Sequence, residues 1–262
     1  MHTSVLDITN AYAAGKTLRL LADVPRSLEM FVLSLQSAFT FGLIRSSASQ
    51  LRKSTTKDCS GLRFPDQLSW LAENGYSRED TRQIRYVVEI FHHLEPVFMV
   101  IMALAARVMK TSDADAGSGS WALGSVEDDV LCSGPIQHLD EKTYKKCLDP
   151  IFEKFGFPAH LFFRSLAVWP DFLENIWACV ERSIDADEYA VASNGLHAKV
   201  NSLAARIPLS RSSCVFGDEC TNDAIENALS TSVDVMLIAS SLRRAFLRTE
   251  VASRNKRAIS MS

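Results

Sequence analysis

The feature that most constrains this chain is the stretch 156–180, GFPAHLFFRSLAVWPDFLENIWACV, where two apolar helical patterns meet at one proline. Phe162, Phe163, Leu166 and Ala167 fall at i, i+1, i+4 and i+5 ahead of Pro170. Phe172, Leu173, Ile176, Trp177 and Val180 repeat that rhythm after it. Such spacing gathers the apolar side chains on one face of a helix. Pro170 suits the first position of the second helix, because a missing N–H there breaks no intrahelical bond. Asp171 and Glu174 place negative charge near the helix start, where the dipole favours it. The stretch reads as a helical pair with a thick apolar face, Trp169 and Trp177 belonging to the core.

The same period recurs along the chain. Helices are expected over 5–22, ended by Val24-Pro25, and over 28–44, with the polar segment 45–57 able to extend the second. Residues 59–65 read as a loop. Asp66 can cap a short helix over 67–73, which Gly75 terminates. Ser77 and Asp80 have the spacing of a capping box with Asp in place of Glu. A helix over 79–94 follows, with Ile84, Val87, Val88 and Phe91 on one stripe, and Pro96 separates it from an apolar helix over 97–109. That last segment is apolar almost all round, as a central buried helix is. No strand-like alternation of useful length occurs, so the fold class is all-α.

Residues 111–134 differ in kind: Ser, Asp, Ala and Gly dominate them without periodicity, and they read as a linker. The expected organisation is a first helical repeat over 1–110, the linker, and a second helical repeat over 135–262. Leu6-Asp7 echoes Leu139-Asp140, and Val24-Pro25 echoes Phe157-Pro158, both at an offset of 133 residues. Near the ends of the halves, 99–104 resembles 237–242. Two such echoes suggest a duplication and hence two pseudo-symmetric lobes.

A formal net charge of −3 argues against a nucleic-acid partner, which calls for a basic face. The basic run 243–257 reads as a solvated helix end and a frayed tail. None of the six cysteines (Cys59, Cys132, Cys147, Cys179, Cys214, Cys220) forms a C-x-x-C pair, so neither a zinc nor a redox site is expected. No signal-like run opens the chain and no segment is expected to span a membrane. A cytoplasmic protein with reduced thiols, no membrane association and no metal or other cofactor is the expectation.

The pattern P-x4-F-R-x-L-A-x-W-P-x-F-L-x3-W, from Pro158 to Trp177, resembles the group I 2-haloacid dehalogenases, which act on both D- and L-substrates. The segment F-x3-E-P-x-F-M-V-I-M-A-L, from Phe91 to Leu104, and the Ser/Gly linker support the resemblance. It implies two pseudo-symmetric helical halves with the active site at their interface. It also implies hydrolysis without a covalent intermediate, an aspartate activating the water that displaces halide with inversion. An asparagine helps to position that water, and aromatic side chains shape the pocket. This chain departs from that pattern at the residues concerned. Phe162 stands at the aspartate position and Glu95 at the asparagine position. Arg26 stands where the family has a pocket tryptophan, and Glu29 at a nearby aromatic position.

Two residues are candidates for the vacated proton-accepting role. Glu95 is expected at a helix start, where the competing reading is an exposed acid favoured by the dipole. His160 lies two residues before Phe162 and has the ordinary pKa of a proton shuttle, against the competing reading of a helix-start histidine bonded to backbone. His92 and His93 are adjacent, about 100° apart around a helix, and so do not converge on one metal. Arg26 and Arg164 can grip a carboxylate by a bidentate fork, unless a solvated face claims them. With Glu29, Phe162 and Phe163 they make up the expected substrate-binding set.

The first functional expectation is a divergent dehalogenase-like hydrolase of a small halocarboxylate, with Glu95 or His160 activating water. The rival is a non-catalytic scaffold that binds a small carboxylate or a protein partner. A third reading, an alkylhydroperoxidase-like protein, needs a second redox cysteine near Cys179. A duplicated chain can serve as its own pseudo-dimer and still form a homodimer.

Overall fold

The computed structural model describes residues 42–58, 62–110, 141–155, 160–208 and 219–260. All regular structure among them is helical, as the sequence patterning predicts. In chain order the helices are α1 (Leu43–Asp58), α2 (Gln67–Glu73), α3 (Arg78–Lys110) and α4 (Glu141–Phe155), followed by α5 (Leu161–Leu166), α6 (Pro170–Ile184), α7 (Asp187–Arg206) and α8 (Glu219–Ser260). The expected helix over 5–22, most of that over 28–44 and the Ser/Gly-rich stretch 111–134 lie outside the described residues.

Local chemistry accounts for the helix ends. The Asp66 carboxylate accepts from the Leu68 and Ser69 N–H groups at 3.0 and 3.2 Å, so the first turn of α2 is capped. Gly75, at φ +76°, supplies the left-handed residue after that helix. At the start of α3 the capping box is reciprocal. The Ser77 N–H donates to the Asp80 carboxylate at 3.1 Å, and the Asp80 N–H to the Ser77 hydroxyl at 3.0 Å. Pro170 opens α6 behind the N-cap residue Trp169, which has no side-chain oxygen to offer. The hydroxyl of Tyr76 supplies the missing acceptor, taking the Phe172 N–H at 3.1 Å.

Three expectations need correction. Pro96 does not divide two helices: α3 runs unbroken for 33 residues with the proline inside it. A helix-interior proline costs about 3 kcal/mol. Phe98, Met99, Val100, Met102 and Leu104 are all buried just beyond it. Burial of each such side chain contributes about 1.5–3 kcal/mol, so packing outweighs the local penalty. The joined helix is, by length and composition alone, apolar enough to cross a membrane over Arg78–Arg107. However, 78% of its most apolar window is buried inside the protein, which is how a core helix behaves. No helix boundary falls at 44: Leu43, Ile44 and the polar segment 45–57 belong to one helix, α1, which begins directly after Gly42 at φ +65°. Finally, the basic run after 243 is not simply solvated. The Arg243 Nε donates to both Glu89 carboxylate oxygens at 2.7 and 2.9 Å, and Arg244 donates to the Thr56 carbonyl.

The chain forms two compact units, each drawing on segments from several parts of the sequence. The first comprises Met1–Arg52, Glu95–Val130 and Gly195–Val233. Its described core includes Ile44 and Leu51 of α1, the second half of α3, Val200 and Leu203 of α7, and Ile225 and Leu229 of α8. Arg107 closes the end of α7 by donating to the carbonyls of Ala204 and Ile207 at 3.0 and 2.7 Å. A cation there satisfies orphan carbonyls and complements the dipole.

The second unit comprises Lys53–Leu94, Leu131–Asn194 and Asp234–Ser262. An aromatic stack fills it. Phe155 lies parallel to Phe163, and Trp177 stands edge-on to both rings. Trp70 packs against Tyr76 and Phe172. The corner before α6 is pinned by Trp169, whose indole N–H donates to Asp80 at 3.1 Å. Hydrogen bonds from Ser77 and Trp169 hold the Asp80 carboxyl below the usual range, because they favour its charged form. Trp169 and Trp177 are both core residues, as the periodicity predicts.

Candidate functional site

Most of the sequence-derived candidates sit on α5 and its cap, in the second unit. The sequence Ala-His-Leu-Phe-Phe starts a helix at Leu161 because His160 adopts an extended conformation and turns its ring back over the first turn. The Nδ1 atom of His160 accepts the Phe162 N–H at 3.2 Å, which leaves the ring proton on Nε2. The imidazole packs edge-on against Phe91, 5.9 Å between centroids. Although the residue as a whole is only half-buried, its ring is enclosed, and burial pushes its pKa down to about 4. A histidine held this way is neutral at pH 7, with its acceptor nitrogen already occupied.

Phe162 is fully buried and stands edge-on to Phe91 at 5.4 Å and to Phe163 at 5.2 Å. Phe163 is equally buried and continues the stack. Between these rings and Ser165, itself buried, Arg164 emerges half-buried. The six-residue helix thus buries two aromatic rings, its N-cap adds an imidazole, and Arg164 stays half-buried. Arg26 and Glu29 lie outside the described residues.

Glu95 is placed differently from the expectation. The sequence puts it at a helix start beside Pro96, with an exposed acid as the competing reading. Instead it lies in the middle of α3 with 0% of its surface exposed. The reason is the same one that corrects the helix boundary. Because α3 continues through Pro96, Glu95 takes an interior position on an apolar helix rather than a solvated first turn. Pro96 also removes the N–H that would have bonded the carbonyl of residue 92. Among the described residues, Glu95 is the one acidic side chain in the buried class. It belongs to the first unit, which begins on α3 at that residue.

The histidine pair on α3 diverges. His92 is buried, and its Nδ1 lies 3.1 Å from the Ser240 hydroxyl on α8. His93 turns back along its own helix to the Glu89 carbonyl at 2.8 Å. Among the described residues, no three His, Cys, Asp or Glu side chains are grouped so as to hold a metal ion. Cys147 and Cys179 are free thiols.

One ionisable pair escapes the sequence reading altogether. The Tyr189 hydroxyl, on α7, donates to the Asp234 carboxylate, on α8, at 2.8 Å. Burial pushes the Asp234 carboxyl up to about 6 despite hydrogen bonds from Tyr189 and Ser193 that favour its charge. Burial likewise raises the Tyr189 phenol, and the neighbouring Asp234 charge adds to that. The two residues are 45 positions apart, so no local motif announces them.

Neither a protein-family model nor a curated protein matches this chain. Solved structures do. A D-2-haloacid dehalogenase mutant superposes with a TM-score of 0.70 at 16% identity, over 94% of this chain and 92% of that one. A D-2-haloacid dehalogenase mutant in complex with D-2-CPA gives a TM-score of 0.64 at 17% identity, over 84% of each chain. A D-2-haloacid dehalogenase in complex with L-LA gives 0.60 at 16% identity, again over 84% of each. At this identity the likeness is one of architecture: the chain has the helical fold of the D-2-haloacid dehalogenases.

Proposed function

We propose that this chain is a dehalogenase-like hydrolase of small 2-halocarboxylates, with Glu95 as the carboxylate that activates water. The reaction displaces halide from C2: water oxygen forms the new C–O bond, the C–halogen bond breaks with its electron pair, and the water proton passes to Glu95. Direct displacement inverts C2. The observation that carries this reading is the burial of Glu95 within α3, just before Pro96. A carboxylate enclosed in an apolar helix is uncommon, and burial raises its basicity. It occupies the position at which the resembling family carries an asparagine beside the reacting water. His160 serves less well as the base, since its Nδ1 is taken by the Phe162 N–H and burial keeps it neutral. Support for the substrate class comes from the fold, shared with enzymes named for 2-haloacids. In this reading the two-lobed duplication is the scaffold, no cofactor takes part, and the chain works in the cytoplasm, alone or as a homodimer.

The test is halide release from a panel of 2-chloro- and 2-bromocarboxylates, with the configuration of the 2-hydroxy product determined. Wild-type protein is expected to release halide with inversion. Loss of a general base lowers turnover by about 10²–10⁴-fold, and Glu95→Gln should show that loss. Release by Glu95→Gln at the wild-type rate, or retention of configuration, removes the assignment. A second reading has its own observation. Phe162, at the family's aspartate position, is a fully buried ring in an aromatic stack, which suits a scaffold that binds a small carboxylate without turning it over. Absence of halide release across the whole panel favours that reading.

A further inference from the structure

The first two turns of α7 are held to the rest of the protein differently from the turns that follow. Among residues 187–194 Tyr189 alone is buried, and Val191 is 72% exposed. The later turns bury Leu196, Val200, Leu203 and Ala204. A stretch with so few buried apolar contacts opens at little cost. Gly195 stands between the two parts, an interior helix residue with nothing within 4 Å of the place a Cβ would take. No close packing calls for a glycine there, and glycine weakens a helix interior. Polar bonds at one place secure the early turns. Tyr189 and Ser193, one turn apart on α7, both donate to the Asp234 carboxylate on α8, Tyr189 at 2.8 Å. All three residues belong to the second unit, which takes in α7 only as far as Asn194.

We propose that residues 187–194 form a pH-responsive segment, latched to α8 through Tyr189 and loosened when Asp234 ionises. In the closed segment Asp234 is enclosed, and burial outweighs the two hydrogen bonds that favour its charge, holding its pKa at about 6. Tyr189 is the titratable group that faces it from α7, and Asp234 is the charge that faces Tyr189 from α8. Among the described residues no other charged group bears on either. Opening returns the carboxyl to water and toward its ordinary 3.8. A group whose pKa is raised in the closed form favours closure below the lower value, and that support is lost as pH rises through the higher one. The segment is thus tight in acid and loose at neutral pH. A difference of about two pKa units makes opening about fiftyfold more frequent at pH 7 than at pH 4.

Native-state hydrogen exchange of the full-length protein, read by mass spectrometry from pH 4 to pH 7 and corrected for the intrinsic pH dependence of exchange, measures the opening. Protection of the 187–194 amides should fall about fiftyfold over that range, while the 196–206 amides of the same helix do not follow. Asp234→Asn should abolish the pH dependence. Gly195→Ala should make opening about two- to fivefold rarer at every pH and leave the pH dependence in place. Protection of 187–194 that does not change with pH overturns the proposal, as does an unaltered pH dependence in Asp234→Asn. Should that variant not fold, the wild type decides alone: an equal change in both stretches of α7 overturns the latch.

Discussion

Replacing Phe162 asks whether the ring at the family's aspartate position is now part of the core rather than of the chemistry. Phe162→Ala removes a fully buried side chain wedged between Phe91 and Phe163. Truncations of this kind cost about 3–5 kcal/mol, because the transfer free energy is lost and a cavity remains. The two edge-to-face pairs account for about 0.5–1.5 kcal/mol each. In a chain of this size each kcal/mol lowers Tm by about 2–4 °C, so the variant should melt roughly 6–20 °C below wild type. Phe162→Asp leaves the same void and adds a carboxyl among the rings. Desolvation favours its neutral form and raises its pKa above the unfolded value. A group shifted upward contributes its stability at low pH and loses it as pH rises through the folded pKa. The aspartate variant should therefore be less stable than the alanine variant at pH 7, with the gap narrowing at pH 5. Urea unfolding followed by tryptophan fluorescence and circular dichroism measures both. A Phe162→Ala variant within about 1 kcal/mol of wild type, or an aspartate variant as stable as the alanine one at pH 7, refutes the reasoning.

Asp234 gives a pH signature of its own. Its folded pKa, raised by burial from 3.8 to about 6, means that it stabilises the fold below about pH 4 and that this contribution fades as pH rises through 6. Asp234→Asn, which does not titrate, should gain about 2 kcal/mol on wild type between pH 4 and 7; a pH-independent difference in urea midpoints refutes this. Tyr76→Phe deletes the hydroxyl that caps α6 and should cost about 1 kcal/mol. The same change should speed hydrogen exchange at the Phe172 amide, and unchanged exchange there disproves the cap.

What the sequence reveals here is whatever acts within about one helical turn. Asp66 capping α2, the Ser77–Asp80 box and Pro170 opening α6 are all interactions between residues a few positions apart, and all are present in the structure. The all-α class follows from the same short-range periodicity. Beyond that range the signals fade. Trp169 and Asp80 are 89 residues apart, and Phe172 and Tyr76 are 96 apart, so nothing in either neighbourhood names its partner. Arg243 looks like part of a basic tail until Glu89, 154 residues away, is seen to take both its bonds.

A side chain's chemistry depends on its burial, and burial is decided by packing over the whole unit. His160 shows this from one side. By composition it is a group poised near neutrality, yet enclosure beside Phe91 leaves it neutral with a pKa near 4, and its lone pair serves the backbone. Glu95 shows it from the other. An acid followed by proline is locally a helix-start residue facing water, and the local rule fails only because the apolar run after Pro96 carries the helix through. The penalty of the proline and the gain from burying that run differ by several side chains' worth of transfer free energy. The helix boundary expected at Pro96 and the helix-start position expected for Glu95 therefore fail together. The continuity of α3 that corrects the one also creates the buried acid on which the hydrolytic reading depends.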